Sequence, residues 1–405
     1  MISRELYLKQ ITPFIDRPLI KVLSGLRRSG KSALLQQLKE LLLERGVSPD
    51  NIIHINFENM AYSAIDNADK LYDYLMKRIV GAEKMYILLD EIQEVSGWEK
   101  TVNSFFSEGR ADLYVTGSNS RLLSSELATY IAGRYVEFNV YTLSFQEYLQ
   151  FVATRTGEKT ADVRVALESY IKYGGFPAIH NFDYSQEEAY KIISDIYASA
   201  ILRDVVQRKN IRDVALLEKI VKFIFDNIGN IFSAKKISDY FKSQQRKSDV
   251  GTIYNYLDAL ERAFIIHKAQ RYDLKGKELL QTNEKYFLGD VALKYSAVGY
   301  REMDISGLIE NIIYLELKRR GYIVYVGKFS DREIDFVAEK RSDKIYVQAT
   351  FRLSSEEVID REFKPLLAIE DNYPKYVVTL DDTWKGSYEG VHHYHLADFL
   401  LSDEY

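Results

Sequence analysis

The chain has no cysteine, which excludes disulfides, thiol nucleophiles and cysteine-ligated zinc or iron–sulfur centres. It also lacks any apolar run approaching the roughly 18 residues that cross a bilayer, and the opening "MISRELYLKQ" has no signal-peptide core. A cytoplasmic protein without membrane contact is therefore expected. Positive charge is not in excess: 54 Lys and Arg stand against 59 Asp and Glu, for a net charge of -5. That balance argues against a general cationic coat for nucleic acid, while a local basic face stays open. Internal repeats and low-complexity segments are absent too. A hydrophobic share of 46% with 28% charged residues is that of a folded chain, and the 31 tyrosines carry no functional reading.

What is present is length and alternation. At 405 residues the chain exceeds what one core usually supports, so two or three domains are expected. Residues 1–145 alternate apolar runs such as "LIKVLSG", "NIIHINFEN", "KMYILLDE" and "ADLYVTGS" with amphipathic stretches such as "KSALLQQLKELLLERG". Continuous apolar strands between helices predict an α/β fold with a parallel sheet covered on both faces. Residues 146–212 read as a helical extension interrupted by the turn signal "YGGFP". Residues 213–295 read as three helices followed by a strand-turn-strand. Residues 296–405 read as a long helix, three strands, a helix and a further strand.

"GLRRSGKS" fits the G-x-x-x-x-G-K-[ST] phosphate loop with Gly25, Gly30, Lys31 and Ser32. Glycines let the backbone N–H groups curl toward a phosphate at a helix N-terminus, Lys31 adds a point charge, and Ser32 can ligate Mg²⁺. Arg28, Ser29 and Ala33 complete the nucleotide-binding segment. The motif follows a predicted strand at 20–24 and opens a helix at Lys31, the setting the mechanism needs. Downstream, "KMYILLDE" ends in Asp90, a metal-holding acid, and Glu91, placed to deprotonate an attacking water. "DLYVTGSNS" brings Thr116, Ser118 and Asn119 to a strand end where a polar group could meet the γ-phosphate or its water. Glu58, after "INF", could regulate Glu91 or cap a helix.

In this order these residues resemble the AAA+ ATPases of the additional-strand, catalytic-glutamate class. The resemblance implies ATP and Mg²⁺ as cofactors, Lys31 as the Walker A lysine, Asp90 and Glu91 as the Walker B pair, and Ser118 or Asn119 at the sensor-1 position. The segment "IAGRYVEFNVYTLSFQEY" is similar to the one that follows sensor 1, which makes Arg134 a candidate arginine finger or sensor.

The order of residues 213–295 resembles a winged helix, whose third helix would present Thr252 and Asn255 to DNA, with Lys235, Lys236, Lys242, Arg246 and Lys247 on phosphates. A spacer that binds a protein partner is the alternative, and a homo-oligomer stays open. The C-terminal order resembles the restriction-endonuclease-like PD-(D/E)xK fold, in which two acids and an E-x-K gather Mg²⁺ and a lysine at the scissile phosphate. Glu310 and Asp335 match the first two positions. Gln348 and Thr350 stand where the third carboxylate and the lysine belong, so the site reads as degenerate. Arg352, expected on the same strand face, could replace the lysine.

The whole chain resembles a large group of bacterial and archaeal AAA+ ATPases that carry such a C-terminal domain. The implied function is a Mg-dependent ATP hydrolase that couples nucleotide state to DNA or protein binding. An ATP-gated metal-dependent DNA nuclease and a non-catalytic nucleotide-sensing interaction module are the alternatives.

Overall fold

The apolar runs of the N-terminal third form five parallel strands in the computed structural model: β1 (Ile20–Ser24), β2 (Ile52–Asn56), β3 (Met85–Asp90), β4 (Ala111–Gly117) and β5 (Tyr135–Asn139). Their order is β2-β3-β4-β1-β5, so β4 stands between the strand that feeds the phosphate loop and the one that ends in Asp90. Because all five run the same way, Ser24, Asp90 and Gly117 finish at one edge of the sheet.

Helices cover both faces, so the central strands β1, β3 and β4 are buried along nearly their whole length, whereas the edge strand β2 alternates. One face packs on the helices Ala68–Arg78 and Trp98–Glu108 through Leu71, Leu75, Trp98 and Phe105. Its opposite packs on the helices Glu5–Ile11 and Lys31–Glu44 through Tyr7, Ile11, Leu34 and Leu38. Each such fully buried Leu or Phe contributes about 1.5–3 kcal/mol relative to exposure.

Two compact units divide the chain, one of residues 1–141 with 262–264, the other of 142–261 with 265–405. The structure describes residues 2–79, 84–119, 133–157, 162–207, 209, 211–243, 249–299, 305–330, 332–382 and 386–405. Among them no helix is long and apolar enough to cross a membrane.

The second unit differs from the expected division into three segments. Its strands are β6 (Ile231–Phe232), β7 (Ile266–Asp273), β8 (Glu278–Leu288), β9 (Ile323–Phe329), β10 (Arg332–Lys340), β11 (Asp343–Ala349), β12 (Lys375–Thr379), β13 (Gly386–Tyr388) and β14 (Val391–His395). All nine join one sheet in the order β13-β14-β12-β11-β10-β9-β7-β8-β6. The helices Val214–Asp226, Ala234–Ser243 and Val250–Arg262 precede the β7–β8 hairpin as expected. Yet β7 pairs in parallel with β9 through Arg271 and Val326, so a single sheet runs across the expected boundary at 295. Asn311, on the helix Ile305–Arg319, ties that helix to the hairpin: its amide oxygen accepts from the Leu288 N–H (2.6 Å) and its amide NH₂ donates to the Leu288 carbonyl (3.0 Å).

The "YGGFP" turn is docked on a buried carboxyl. Asp290 accepts from the N–H groups of Gly175 (2.8 Å) and Ala292 (2.9 Å), and a Cβ at Gly174, whose φ is +69°, would stand 1.9 Å from the Asp290 Oδ1. Burial pushes the Asp290 carboxyl up to about 6, against the opposing hydrogen bonds from Thr142, Ala292 and Gly175. With the folded value raised, stability from this group is present at low pH and lost as pH rises from about 4 through about 6. Relative to an Asp290→Asn variant, the wild type is expected to lose on the order of 3 kcal/mol over that window. Urea titration of both proteins at pH 4 and pH 7 measures it; a difference independent of pH would contradict the assignment.

Candidate functional site

The phosphate loop is shaped by three residues of positive φ: Gly25 (+152°), Arg28 (+62°) and Gly30 (+102°). At Gly25 a Cβ would stand 2.2 Å from the Val140 carbonyl oxygen, so only glycine lets the chain pass there. Gly30 caps the helix that starts at Lys31, which points the N-terminal N–H groups and the positive end of the helix dipole into the loop. Lys31 Nζ donates to the carbonyls of Gly25 and Leu26 (3.0 Å each) and lies 3.9 Å from Glu91 Oε1. The Ser29 hydroxyl is buried with no hydrogen-bond partner among the described residues. A buried donor without a partner is costly, and a phosphate oxygen would satisfy it.

Arg4, which the motif does not reveal, anchors the loop from below. It is buried, and it donates to the carbonyls of Ser29 (2.9 Å) and Tyr141 (2.9 Å) while its guanidinium lies 4.7 Å from the Tyr7 ring centroid. No sequence signal marks it, because the contact joins residues 25 and 137 positions apart.

At the end of β3, Asp90 is buried and accepts from the Thr116 hydroxyl, from Asn56 Nδ2 (3.1 Å) and from the Ser32 hydroxyl. Burial raises its pKa, and the hydrogen bonds from Thr116 and Ser32 work in the other direction. Ser32 and Asp90, the two expected magnesium ligands, are thus adjacent, and a hydroxyl beside a carboxylate is a fitting oxygen donor set for that cation. Glu91 adopts a left-handed backbone (φ +53°), its N–H donates to the Thr116 hydroxyl oxygen (2.9 Å), and its carboxylate takes the Gln93 amide. Thr116 therefore grips both acids rather than facing a phosphate. Ser118 and Asn119 follow directly, buried, where Gly117 pairs with Ser24. Sheet order alone brings them between the phosphate loop and the acid pair. Ala33 continues the helix from Lys31 and Ser32.

Two expectations change. Glu58 pairs with Arg27 of the loop (2.6 Å), and its N–H donates to the Asn56 Oδ1 (2.8 Å). Arg134 lies at the wrong end of its strand: its carbonyl accepts from the Ile20 N–H (2.8 Å), where β1 begins, and the phosphate loop follows Ser24. Five residues at about 3.3 Å each place it roughly 16 Å from the loop. Its guanidinium instead donates to Asn103 Oδ1 (2.7 Å) and packs on Phe106, so it does not serve its own nucleotide site.

In the second unit, Glu310, Asp335, Gln348 and Thr350 line one cavity of about 800 Å³. Asp335 accepts from the Ala349 N–H (2.8 Å), and its own N–H donates to Gln348 Oε1 (3.2 Å). Arg352 is not there. β11 stops at Ala349, which ends the alternation, and Arg352 lines another cavity with its guanidinium 4.8 Å from the Phe351 centroid. The cation that meets Asp335 in the first cavity is Lys285, from β8, which sequence order hides because it precedes Asp335 by 50 residues. On the helices expected to meet DNA, Lys235, Lys236, Lys242 and Asn255 are exposed, while Arg246 and Lys247 lie outside the described residues.

Comparison with known proteins agrees with this geometry. The family described as "AAA domain" matches residues 17–149, and a domain of unknown function, DUF8612, matches residues 164–304. An uncharacterized protein of Haemophilus influenzae is 40% identical over 402 residues, covering 99% of each chain. Another from Methanocaldococcus jannaschii is 30% identical over 355 residues, covering 85% of this chain and 77% of its own. Among solved structures, a Walker-type ATPase of Pyrococcus abyssi aligns with a TM-score of 0.53 at 16% identity, over 73% of this chain and 96% of that one, a likeness of fold alone. The chain belongs to the family of these bacterial and archaeal proteins, and its N-terminal unit is an AAA domain of the P-loop ATPase fold.

Proposed function

We propose that the protein binds ATP with Mg²⁺, hydrolyses it, and uses its nucleotide state to alter what its C-terminal unit binds. The observation that carries this reading is the single hydroxyl of Thr116 holding both Asp90 and Glu91 at the sheet edge where the phosphate loop opens. In this reading Lys31 leaves its resting carbonyl partners for the β- and γ-phosphates, and the Ser29 hydroxyl joins the N–H groups of Gly30 and Lys31 around them. Ser32 and Asp90 would hold a magnesium ion, which would supply charge neutralisation at the phosphates. Glu91 takes the proton of the attacking water, and Asn119, with Ser118 beside it, positions that water or the γ-phosphate. Arg134, remote from its own site and exposed, serves the site of a neighbouring copy if the protein self-associates.

DNA is the partner favoured for the second unit, through the helix Val250–Arg262 with Asn255 outward and Lys235, Lys236 and Lys242 nearby. ATP turnover with and without single- and double-stranded DNA, at 50 and about 200 mM salt, tests the coupling. Stimulation that weakens steeply with salt is expected. Turnover indifferent to both DNA forms at low salt, together with a protein that co-purifies, would favour a protein partner instead.

A further inference from the structure

The 800 Å³ cavity of the second unit departs from a metal-dependent cutting site in what occupies its acidic centre. Lys285 projects from β8 with its side chain 2% exposed, and its Nζ lies 2.9 Å from Glu310 Oε2, 2.6 Å from Glu333 Oε1 and 3.4 Å from Asp335 Oδ1. An ammonium has three donors and meets three carboxylates here, so its hydrogen-bonding capacity is filled. The second oxygen of Asp335 and the neighbouring Glu362 are engaged by the chain as well. Asp335 Oδ2 accepts the Ala349 N–H, and the buried Glu362 accepts from the Arg361 guanidinium (2.6 and 2.9 Å) and from Gln348. Among the described residues no group of three or more His, Asp or Glu side chains is set to hold a metal ion.

We propose that Lys285 is the resident cation of this cavity, its ammonium standing between Glu310, Glu333 and Asp335 where a divalent ion would have to bind. The arrangement joins three separate pieces of chain, β8, β10 and the helix Ile305–Arg319, through one buried charge. It also accounts for Gln348: with one ammonium already shared among three acids, a further carboxylate would be uncompensated, whereas an amide can donate to Glu362 and accept from the Asp335 N–H. Charge states agree. Burial opposes the charge on Lys285, but Asp335, Glu310 and Glu333 outweigh it and hold the ammonium well above the ordinary lysine range. Burial and then Asp335 push the Glu310 carboxyl up, as expected where one ammonium serves several acids. A metal-dependent nuclease would need this lysine to swing away and a divalent ion to replace it. Nothing in this inference depends on the ATP site.

Manganese titration calorimetry on the full-length, nucleotide-free protein tests it. Wild type and the Asp335→Asn variant are expected to take up Mn²⁺ identically, since the cavity binds none. Lys285→Ala is expected to gain a Mn²⁺ site, at least about tenfold tighter than any in the wild type, which a second change of Asp335→Asn removes. Lys285→Met, which keeps the apolar stem, serves where the alanine variant does not fold. Mn²⁺ uptake by the wild type that Asp335→Asn abolishes would overturn the proposal. So would Mn²⁺-dependent nicking of plasmid DNA by the wild type that Lys285→Ala destroys, a comparison that needs no gain of function.

Discussion

Glu91→Gln is expected to bind ATP as the wild type does and to hydrolyse it about 10²- to 10⁴-fold more slowly. The amide keeps the size of the side chain and can still bond Gln93, and the backbone N–H of residue 91 still donates to Thr116, so the strand end keeps its shape. What is lost is the capacity to accept a proton from water. Because the left-handed backbone at this position is held by Thr116 and not by the carboxylate, the effect falls on kcat while nucleotide affinity stays.

Lys31→Ala is expected to act earlier, on binding. Its ammonium is the one cation of the G-K-S segment, buried at the N-terminus of its helix and resting on two loop carbonyls 3.0 Å away. Removing it leaves the triphosphate without its charge partner, at a cost on the order of 3 kcal/mol, or about 100-fold in Kd. Fluorescence titration with a labelled ATP analogue measures it, and a far-ultraviolet circular dichroism spectrum identical to that of the wild type shows the fold intact. Loss of binding by less than about threefold would mean that the phosphates sit elsewhere.

The phosphate-loop geometry and the acid pair are legible in the sequence because they are local. "GLRRSGKS" is contiguous, its glycines answer to positive φ and a close carbonyl, and "LLDE" announces a buried strand end. Thr116 and Asn119 came within reach because a parallel sheet gathers strand ends at one edge. A motif gives order along the chain but not which end of a strand a residue occupies, so it does not show that Arg134 stands away from its own phosphate loop, next to Tyr135, which pairs with Ile20 at the far end.

The second unit was less legible, and the reason is pairing between distant segments. Sequence order suggested a hairpin domain followed by a separate nuclease-like domain, but the parallel contact between Arg271 and Val326 merges them into one sheet. That merger delivers Lys285 to Asp335. Alternation along a single strand points to Thr350 or Arg352, but β11 ends at Ala349 and the cation beside Asp335 arrives from β8 through the sheet. Arg4 under the phosphate loop is hidden in the sequence for the same reason.

If one site both binds and hydrolyses ATP, its binding and hydrolytic residues separate by mutation. Bound nucleotide and released phosphate, measured on the same samples of wild type, Lys31→Ala and Glu91→Gln in Mg²⁺, test it most directly. Binding and turnover are expected in the wild type, binding weakened about 100-fold in Lys31→Ala, and wild-type binding with turnover slowed about 10²- to 10⁴-fold in Glu91→Gln. Phosphate release by Glu91→Gln at the wild-type rate would contradict it.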